Sequence, residues 1–382
     1  MTRPQSAENN KKAKSARQTA HFSLFALALG LASALLFGLA TPASKLLVGE
    51  INPFLLAGLL YLGAALGVIP IIIHELHGSK PLGRSRPSVF TPRALSAVQL
   101  RYIVGAIFCG GFLGPVLLLQ GLKAAQASSV AIWLNLELAA TAILGVLLFK
   151  DHLGRNGWSG VVLATAAGVI MTFSEGAAGL SAAFLVTLAC ICWGFDNHFT
   201  ALIDSVSAAR ITLYKGIFAG SFSTMIGMVS APVLPETTLI LKALLLGVIC
   251  YGVSIVLYVS CAQHSGATRA QILFSSSPFF GVGLAVILLG EELSVAHLAA
   301  LGCLAGAIYF SQKTEHNHLH SHEPLSHTHL HRHDDGHHDH DHAEVADMVA
   351  ANTLHSHHHV HQPIRHSHPH FPDLHHRHRH HG

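Results

Sequence analysis

The chain has 382 residues, of which 51% are hydrophobic and 11% are charged, with a formal net charge of +3. A soluble domain has about 25% charged residues, so this composition excludes an ordinary soluble globular protein. The shortage of charge lies before about residue 313, where apolar runs of membrane-spanning length follow one another. We therefore predict a polytopic, all-α membrane protein that contacts the lipid bilayer and no nucleic acid.

Ten apolar runs follow a basic N-terminal segment, residues 1–21. A longer basic loop, with lysines and arginines between residues 80 and 101, separates the second and third runs. Basic loops stay in the cytoplasm. Ten crossings of the cytoplasmic (inner) membrane therefore place this loop and both termini on its cytoplasmic side. The runs lie at 22–46, 53–73, 102–121, 127–149, 157–173, 180–203, 211–231, 239–260, 270–290 and 295–312.

The apolar region contains an internal duplication. The acidic segment 151–153 matches 291–293 at an offset of 291 − 151 = 140, and Phe37-Gly38 matches Trp193-Gly194 at an offset of 193 − 37 = 156. Each repeat then has five helices, and an odd number gives the two repeats opposite orientations in the membrane. Inverted repeats place a substrate site near the midplane, between the halves.

The fourth run carries one carboxylate, Glu137, near its middle, with Asn135 two positions before it. A charge inside a membrane helix costs about 2.5–3.5 kcal/mol on insertion scales, so it is rare without a reason. One interpretation is a titratable group that faces the transport pathway. The alternative is a structural ion pair or hydrogen bond to a neighbouring helix, and Asn135 could equally bind substrate or join helices.

The sixth run ends in a polar group, Asp196, Asn197 and His198. Such residues usually line a protein interior or a water-filled cavity, so they are candidates for a proton-coupled or cation-coordinating cluster. The alternative is that they mark the helix end at the cytoplasmic interface.

Two proline positions are candidates for breaks in the helices. Thr41-Pro42 lies in the first run, and Ser277-Pro278 lies in the ninth run opposite Glu137-Leu138 in the aligned repeats. A break frees backbone carbonyls, which hold substrate when they line a cavity. A plain kink is the alternative.

The last 70 residues, 313–382, have a different character, because 25 of the 32 histidines lie there. We predict a disordered cytoplasmic tail that binds Zn, Ni, Co or Cu, since alternate residues of an extended chain project to one side. The alternative is a low-complexity tail with incidental metal affinity. The candidate metal ligands are His316, His318, His320, His322, His327, His329, His331 and His333.

The two aromatic-glycine pairs and the repeated order of small-residue loop, apolar helix, acidic stop and glycine-rich helix resemble the drug/metabolite transporter superfamily, EamA type. The resemblance covers residues 22–173 and 174–312, one repeat each, and departs from the family pattern at Leu138, where the second repeat has Pro278. It implies secondary active transport, by export or uptake of a small molecule driven by an ion or proton gradient. Our hypothesis is export of a small metabolite or drug-like solute coupled to protons, with Glu137 and Asp196 or His198 as the titrating groups. The resemblance implies no enzyme activity and no required cofactor.

Two further questions stay open on the sequence alone. The alternative function is transport of a divalent transition metal, or transport regulated by metal, using the histidine tail. The oligomeric state is the other open question, and a homodimer is one possible state.

Overall fold

The computed structural model describes residues 24–78, 97–148, 153–203, 206–231, 234–265 and 267–312, together with four short segments of the tail. The basic segment 1–21 lies outside the described residues, as does most of the basic loop after residue 78. Between residues 24 and 312 the described residues form helices and contain no strands. The prediction of an all-α membrane fold is therefore confirmed for this part of the chain.

Twelve helices make up this part. Asn52 caps the second of them, because its side-chain oxygen accepts from Phe54 N at 2.9 Å and Pro53 occupies the first turn. The helices are α1 (Leu24–Val48), α2 (Pro53–Gly78), α3 (Ala97–Ala124), α4 (Ala127–Trp133), α5 (Leu136–Leu148), α6 (Arg155–Ser174), α7 (Gly176–Ala201), α8 (208–230), α9 (237–265), α10 (Ala267–Phe274), α11 (Ser277–Leu289) and α12 (Val295–Gln312).

Two of the predicted spans are broken helices. The fourth span consists of α4 and α5 with a turn at residues 134–135, and the ninth consists of α10 and α11 with a turn at residues 275–276. Pro278 lies at the start of α11, where its missing N–H has no helical partner to lose. The break in the ninth span lies directly before Ser277-Pro278, as predicted. The prediction of a break at Thr41-Pro42 is wrong, because Pro42 lies inside the continuous helix α1, and the break in the fourth span was not predicted.

Three helices contain a π-helical segment, in which the backbone bonds run from residue i to i+5. The segments are π1 (Ile107–Leu113) in α3, π2 (Lys215–Ala219) in α8 and π3 (Gly247–Val253) in α9. Segments π1 and π3 begin 247 − 107 = 140 residues apart, the same offset as the acidic stops in the sequence. Because π segments recur at functional sites, their repetition points to a functional constraint shared by the two halves.

The two halves, α1–α6 and α7–α12, are interlocked. Helix α1 packs against α11 and α9, and its counterpart α7 packs against α5 and α3 in the same way. Helix α2 lies against α8 and α9, and α6 lies against α12. Each of these pairings joins one half to the other, so the halves share one core rather than having one each.

Seven helices of the described chain are long and apolar enough to cross a membrane, and two shorter apolar helices lie at Ser277–Leu289 and Val295–Ser311. A multi-pass membrane protein is therefore confirmed. Ten crossings and opposite orientation of the two repeats stay predictions.

The tail departs from the predicted disorder. Strand β1 (His316–Ser321) pairs antiparallel with β4 (Arg365–His370), and β2 (Leu325–His331) pairs antiparallel with β3 (His355–His361). The reason lies in the sequence itself: histidine alternates with serine, threonine or leucine over much of these segments, and this two-residue period is that of a strand.

Candidate functional site

Glu137 lies directly after the break in the fourth span, in the first turn of α5. A carboxylate is stabilised there by the positive end of the helix dipole. Its Oε1 accepts from Asn197 Nδ2 on α7 at 2.9 Å, and the same amide donates to Thr141 Oγ1 at 3.1 Å. The break thus holds Glu137 toward the other half of the molecule, where Asn197 bridges α5 and α7.

Asp196, one residue earlier on α7, forms the buried ion pair of the site. Its Oδ2 lies 2.6 Å from Lys215 Nζ, the first residue of π2, and its Oδ1 accepts from Thr200 at 3.2 Å. Asp196 is only 7% exposed. Two opposite charges that are this close and this buried compensate each other, so removing either one leaves the other as an uncompensated buried charge.

His198 has a different environment from the other two residues of this group. Its Nε2 lies 2.9 Å from the carbonyl oxygen of Thr141, which can only accept, so this nitrogen carries the hydrogen. The imidazole is buried between α7 and α5 and helps hold the two helices together.

The carbonyl of Gly110, in π1, completes the site from the side of α3. It accepts from Tyr61 Oη at 2.6 Å and from Trp193 Nε1 at 3.2 Å. A Cβ at Gly110 would collide with the carboxylate of Asp196, so this position needs glycine. The π segment thereby brings backbone, rather than a side chain, against the ion pair.

The charges of the site act on one another. Glu137 is close enough to Asp196 and Lys215 for their charges to interact, and Tyr61 lies within the field of both carboxylates. With both carboxylates ionised, this group of three charged residues has a net charge of −1. One proton or one cationic group neutralises it, and a low-dielectric surrounding favours that neutral state.

Asn135 is occupied by the break itself. Its Nδ2 lies 3.4 Å and 3.3 Å from the carbonyl oxygens of Ala131 and Ile132, and Cys190 Sγ lies near the carbonyl of Trp133. The Trp133 indole donates to Gly168 O at 3.1 Å and anchors the end of α4. The Ile132 carbonyl also accepts from the backbone N–H of Asn135 at 3.1 Å, so both the backbone and the side chain of Asn135 bond to the end of α4.

The other predicted residues of the helical region lie where α1 crosses α11, which is equivalent to the crossing of α7 and α5. Thr41 and Pro42 on α1 and Ser277 on α11 are buried, and a Cβ at Gly38 would lie 2.5 Å from Ser277 O. Pro278 begins α11 at the same crossing. The structure therefore divides the predicted residues into two groups, one at each crossing.

A series of aromatic rings connects the two groups. Ring centroids lie 6.1 Å apart for Tyr61 and Tyr251, 6.0 Å for Tyr251 and Phe37, and 4.9 Å for Phe37 and Phe274. These rings pack against one another, so aromatic contacts join the two groups.

Sequence reasoning missed Lys215, Tyr61 and Gly110. Lys215 lies within the apolar run 211–231, so the argument applied to Glu137, a charge within an apolar run, applies to it equally. Nothing in the sequence marks Tyr61 or Gly110, because their role depends on the π geometry of α3.

The candidate metal ligands of the tail are only partly described. His316, His318 and His320 lie in β1, and His327, His329 and His331 lie in β2. His322 and His333 lie outside the described residues. Within the described part of the chain, no group of three or more metal-ligating side chains was found.

Comparison with known proteins identifies the fold and the family. The sequence profile of the EamA-like transporter family matches residues 24–173 and again 180–312, so it covers both halves. The chain belongs to the EamA-like transporter family. The family resemblance inferred from the aromatic-glycine pairs and the acidic stops is thereby confirmed.

One curated protein and one solved structure are similar to this chain. An uncharacterized transporter of Methanothermobacter thermautotrophicus (strain Delta H) is 25% identical over 276 residues, covering 68% of this chain and 78% of that protein. A solved structure, described only as a crystal structure of a protein, has a TM-score of 0.53 and 16% identity. It covers 75% of this EamA-like chain and 96% of its own, and it shows the fold alone. The family is one of membrane transporters.

Proposed function

We propose that this EamA-like protein is a secondary active transporter that exports a small metabolite or drug-like solute in exchange for protons. The observation that carries the proposal is Glu137, a carboxylate beside a helix break, bonded to Asn197 of the other half and adjacent to the Asp196–Lys215 ion pair. It is the group whose charge state changes the net charge of the site from −1 to neutral.

The exchange follows from electrostatics. When the site faces the more acidic side, Glu137 takes a proton and the site becomes neutral, which favours movement through the low-dielectric bundle. When it faces the cytoplasm, the proton leaves and the solute takes its place. Alternating access then consists of rocking one five-helix repeat against the other. In this proposal the repeats are inverted, and both termini lie on the cytoplasmic side of the inner membrane.

The test is proton movement in proteoliposomes that contain a pH-sensitive dye, on addition of members of a panel of amino acids, cationic drugs and metals. We expect Glu137→Gln to reduce solute-driven proton movement at least about tenfold. The matched control is Glu50→Gln, at an exposed position after α1, which leaves the movement unchanged. Full proton-coupled flux in Glu137→Gln contradicts the proposal.

The tail supports a second candidate, transport of a divalent transition metal or regulation by one. The register of the strands sets histidine against histidine, with His318 opposite His368 and His327 opposite His359. Opposed residues of an antiparallel pair have Cα atoms about 4.5–5.5 Å apart, and paired imidazoles bind Zn, Ni, Co and Cu.

Deleting residues 313–382 tests this candidate. The metal function predicts lower cellular tolerance of Ni, Co or Zn and a changed cellular metal content, while proton-coupled export of other solutes is retained. Unchanged tolerance and content on deletion reject the metal function and leave the Glu137 proposal intact.

A further inference from the structure

At one end of the bundle, the helices are joined by hydrogen bonds that the Glu137 site does not use. They surround the turn at residues 125–126, which joins α3 to α4. From one side, Lys45 on α1 donates from Nζ to the carbonyl oxygens of Leu122 and Ala125, each at 2.7 Å. A lysine in this position satisfies carbonyls that the end of α3 leaves unpaired.

From the other side, Glu291 holds the amides that begin α4. Its Oε1 accepts from Ala127 N at 2.7 Å, and its Oε2 accepts from Ser128 N at 2.9 Å and from Ser128 Oγ at 2.6 Å. Gly290, with φ +68°, ends α11 and lets the chain turn into this contact. The carboxylate thus joins the ninth span to the fourth span across the boundary between the two halves.

The buried His297, near the start of α12, supports the same contact. Its Nδ1 lies 3.2 Å from Ser294 N, which can only donate, so in the neutral imidazole the hydrogen is on Nε2. Nε2 lies 3.1 Å from Ser128 Oγ, which in turn donates to Glu291. The order of donors is therefore fixed from His297 through Ser128 to the carboxylate.

A cavity of about 280 Å³ lies against this turn, lined in part by Lys45, Lys123, Glu175 and Glu291. Glu175, after α6, accepts from Ser129 Oγ and gives α4 a second carboxylate contact. The charges around the cavity balance, with two positive and two negative groups. The cavity is open rather than enclosed, and because its charges balance it does not resemble a binding site for a charged solute.

We infer that Glu291 is the latch of this end of the transport pathway: its bonds to Ala127 and Ser128 must break before the end opens. Helix α4 carries the break that positions Glu137, so release of the latch frees the element that reaches the candidate site. The inference concerns a gate and holds whichever solute is carried.

The test follows the accessibility of a cysteine placed at Thr41, which is 5% exposed and one helical turn before Lys45. A membrane-impermeant maleimide is applied to cells or proteoliposomes from the side of the 125–126 turn, and the full chain without this cysteine gives the background. We expect Glu291→Gln to raise the labelling rate at least about tenfold and Ser128→Ala to raise it about twofold, in proportion to the bonds lost.

The matched control is Glu292→Gln, the exposed neighbour of the latch, which leaves the rate unchanged. Labelling of the same cysteine from the opposite side falls in Glu291→Gln, whereas general loosening of the fold raises labelling from both sides. Parent rates in both Glu291→Gln and Ser128→Ala overturn the inference, as does an equal rise in Glu292→Gln. If Glu291→Gln does not yield folded protein, Ser128→Ala decides. Because no solute is needed, the outcome is independent of proton exchange at Glu137.

Discussion

The two equivalent helix crossings of the molecule each bring a glycine of one half against a helix of the other half, but they differ in chemistry. At the first, Gly38 of α1 lies against α11, and at the second, Gly194 of α7 lies against α5. The residues that follow Gly38 are Leu39, Ala40, Thr41 and Pro42, whereas those that follow Gly194 are Phe195, Asp196, Asn197 and His198. Both crossings therefore have a glycine at the contact, but the residues that follow it carry no charge at the first crossing and include Asp196 at the second.

The helix breaks show the same contrast. The break before α11 presents Ser277 and Pro278, and the break before α5 presents Glu137. Every charged residue of the candidate site is therefore at the second crossing or packs against it. We infer that the first crossing supplies shape to the pathway and the second supplies the group that titrates.

The largest expected effect comes from removing the charge that balances the second crossing. Lys215→Met leaves the buried Asp196 without its positively charged partner, and breaking a buried ion pair in this way costs about 3–5 kcal/mol. We expect a large fall in the melting temperature of the detergent-solubilised protein. The double variant with Asp196→Asn removes both charges and is expected to recover most of the loss; a double variant as unstable as Lys215→Met contradicts this account.

A smaller effect separates the two glycines. At Gly38 an added Cβ would lie 2.5 Å from Ser277 O and 2.9 Å from Phe280 Cβ, whereas at Gly194 its nearest contact is a Leu144 methyl at 3.0 Å. Gly38→Ala is therefore expected to cost about 1–3 kcal/mol by overpacking. Gly194→Ala costs less, because a flexible leucine can move aside. Thermal unfolding of the two variants measures the difference, and equal losses would show that the crossings are equally tight.

The smallest expected effect tests the carbonyl of Gly110. Tyr61→Phe removes one hydrogen bond to it and leaves the bond from Trp193, so we expect a loss of about 0.5–1.5 kcal/mol. Tyr258→Phe is the control, since the Tyr258 hydroxyl donates to Gln271 between α9 and α10, away from Gly110. If Tyr61 serves the site beyond stability, Tyr61→Phe alters solute-driven proton movement and Tyr258→Phe does not.

The fold was largely predictable because its main signals are local and periodic. Apolar length predicted the helices, and the repeated acidic stops predicted the duplication at the offset that π1 and π3 also show. The strands of the tail were missed because a histidine-rich, charged segment has no apolar face to predict that it pairs. Residue alternation alone fits an extended disordered chain and a strand equally well.

The candidate site was predictable only in part. A charge inside an apolar run is visible in the sequence, which is how Glu137 and Asp196 were found, and the same rule would have found Lys215. The roles of Gly110 and of Asn135 were not predictable, because both depend on which backbone carbonyls a π segment or a helix break brings within reach of a side chain. Such carbonyls are defined by hydrogen-bond geometry, which residue types do not encode singly.

Helix α2 has a consequence for how such a molecule assembles. Its Gly67 lies so close to Gly252 of α9 that a Cβ there would be 2.6 Å from the facing Cα, and Gly58 and Gly216 make similarly close approaches between α2 and α8. Either half alone would leave this row of small residues uncovered. Fragments cut between α6 and α7 should accordingly fold only when they are synthesised together.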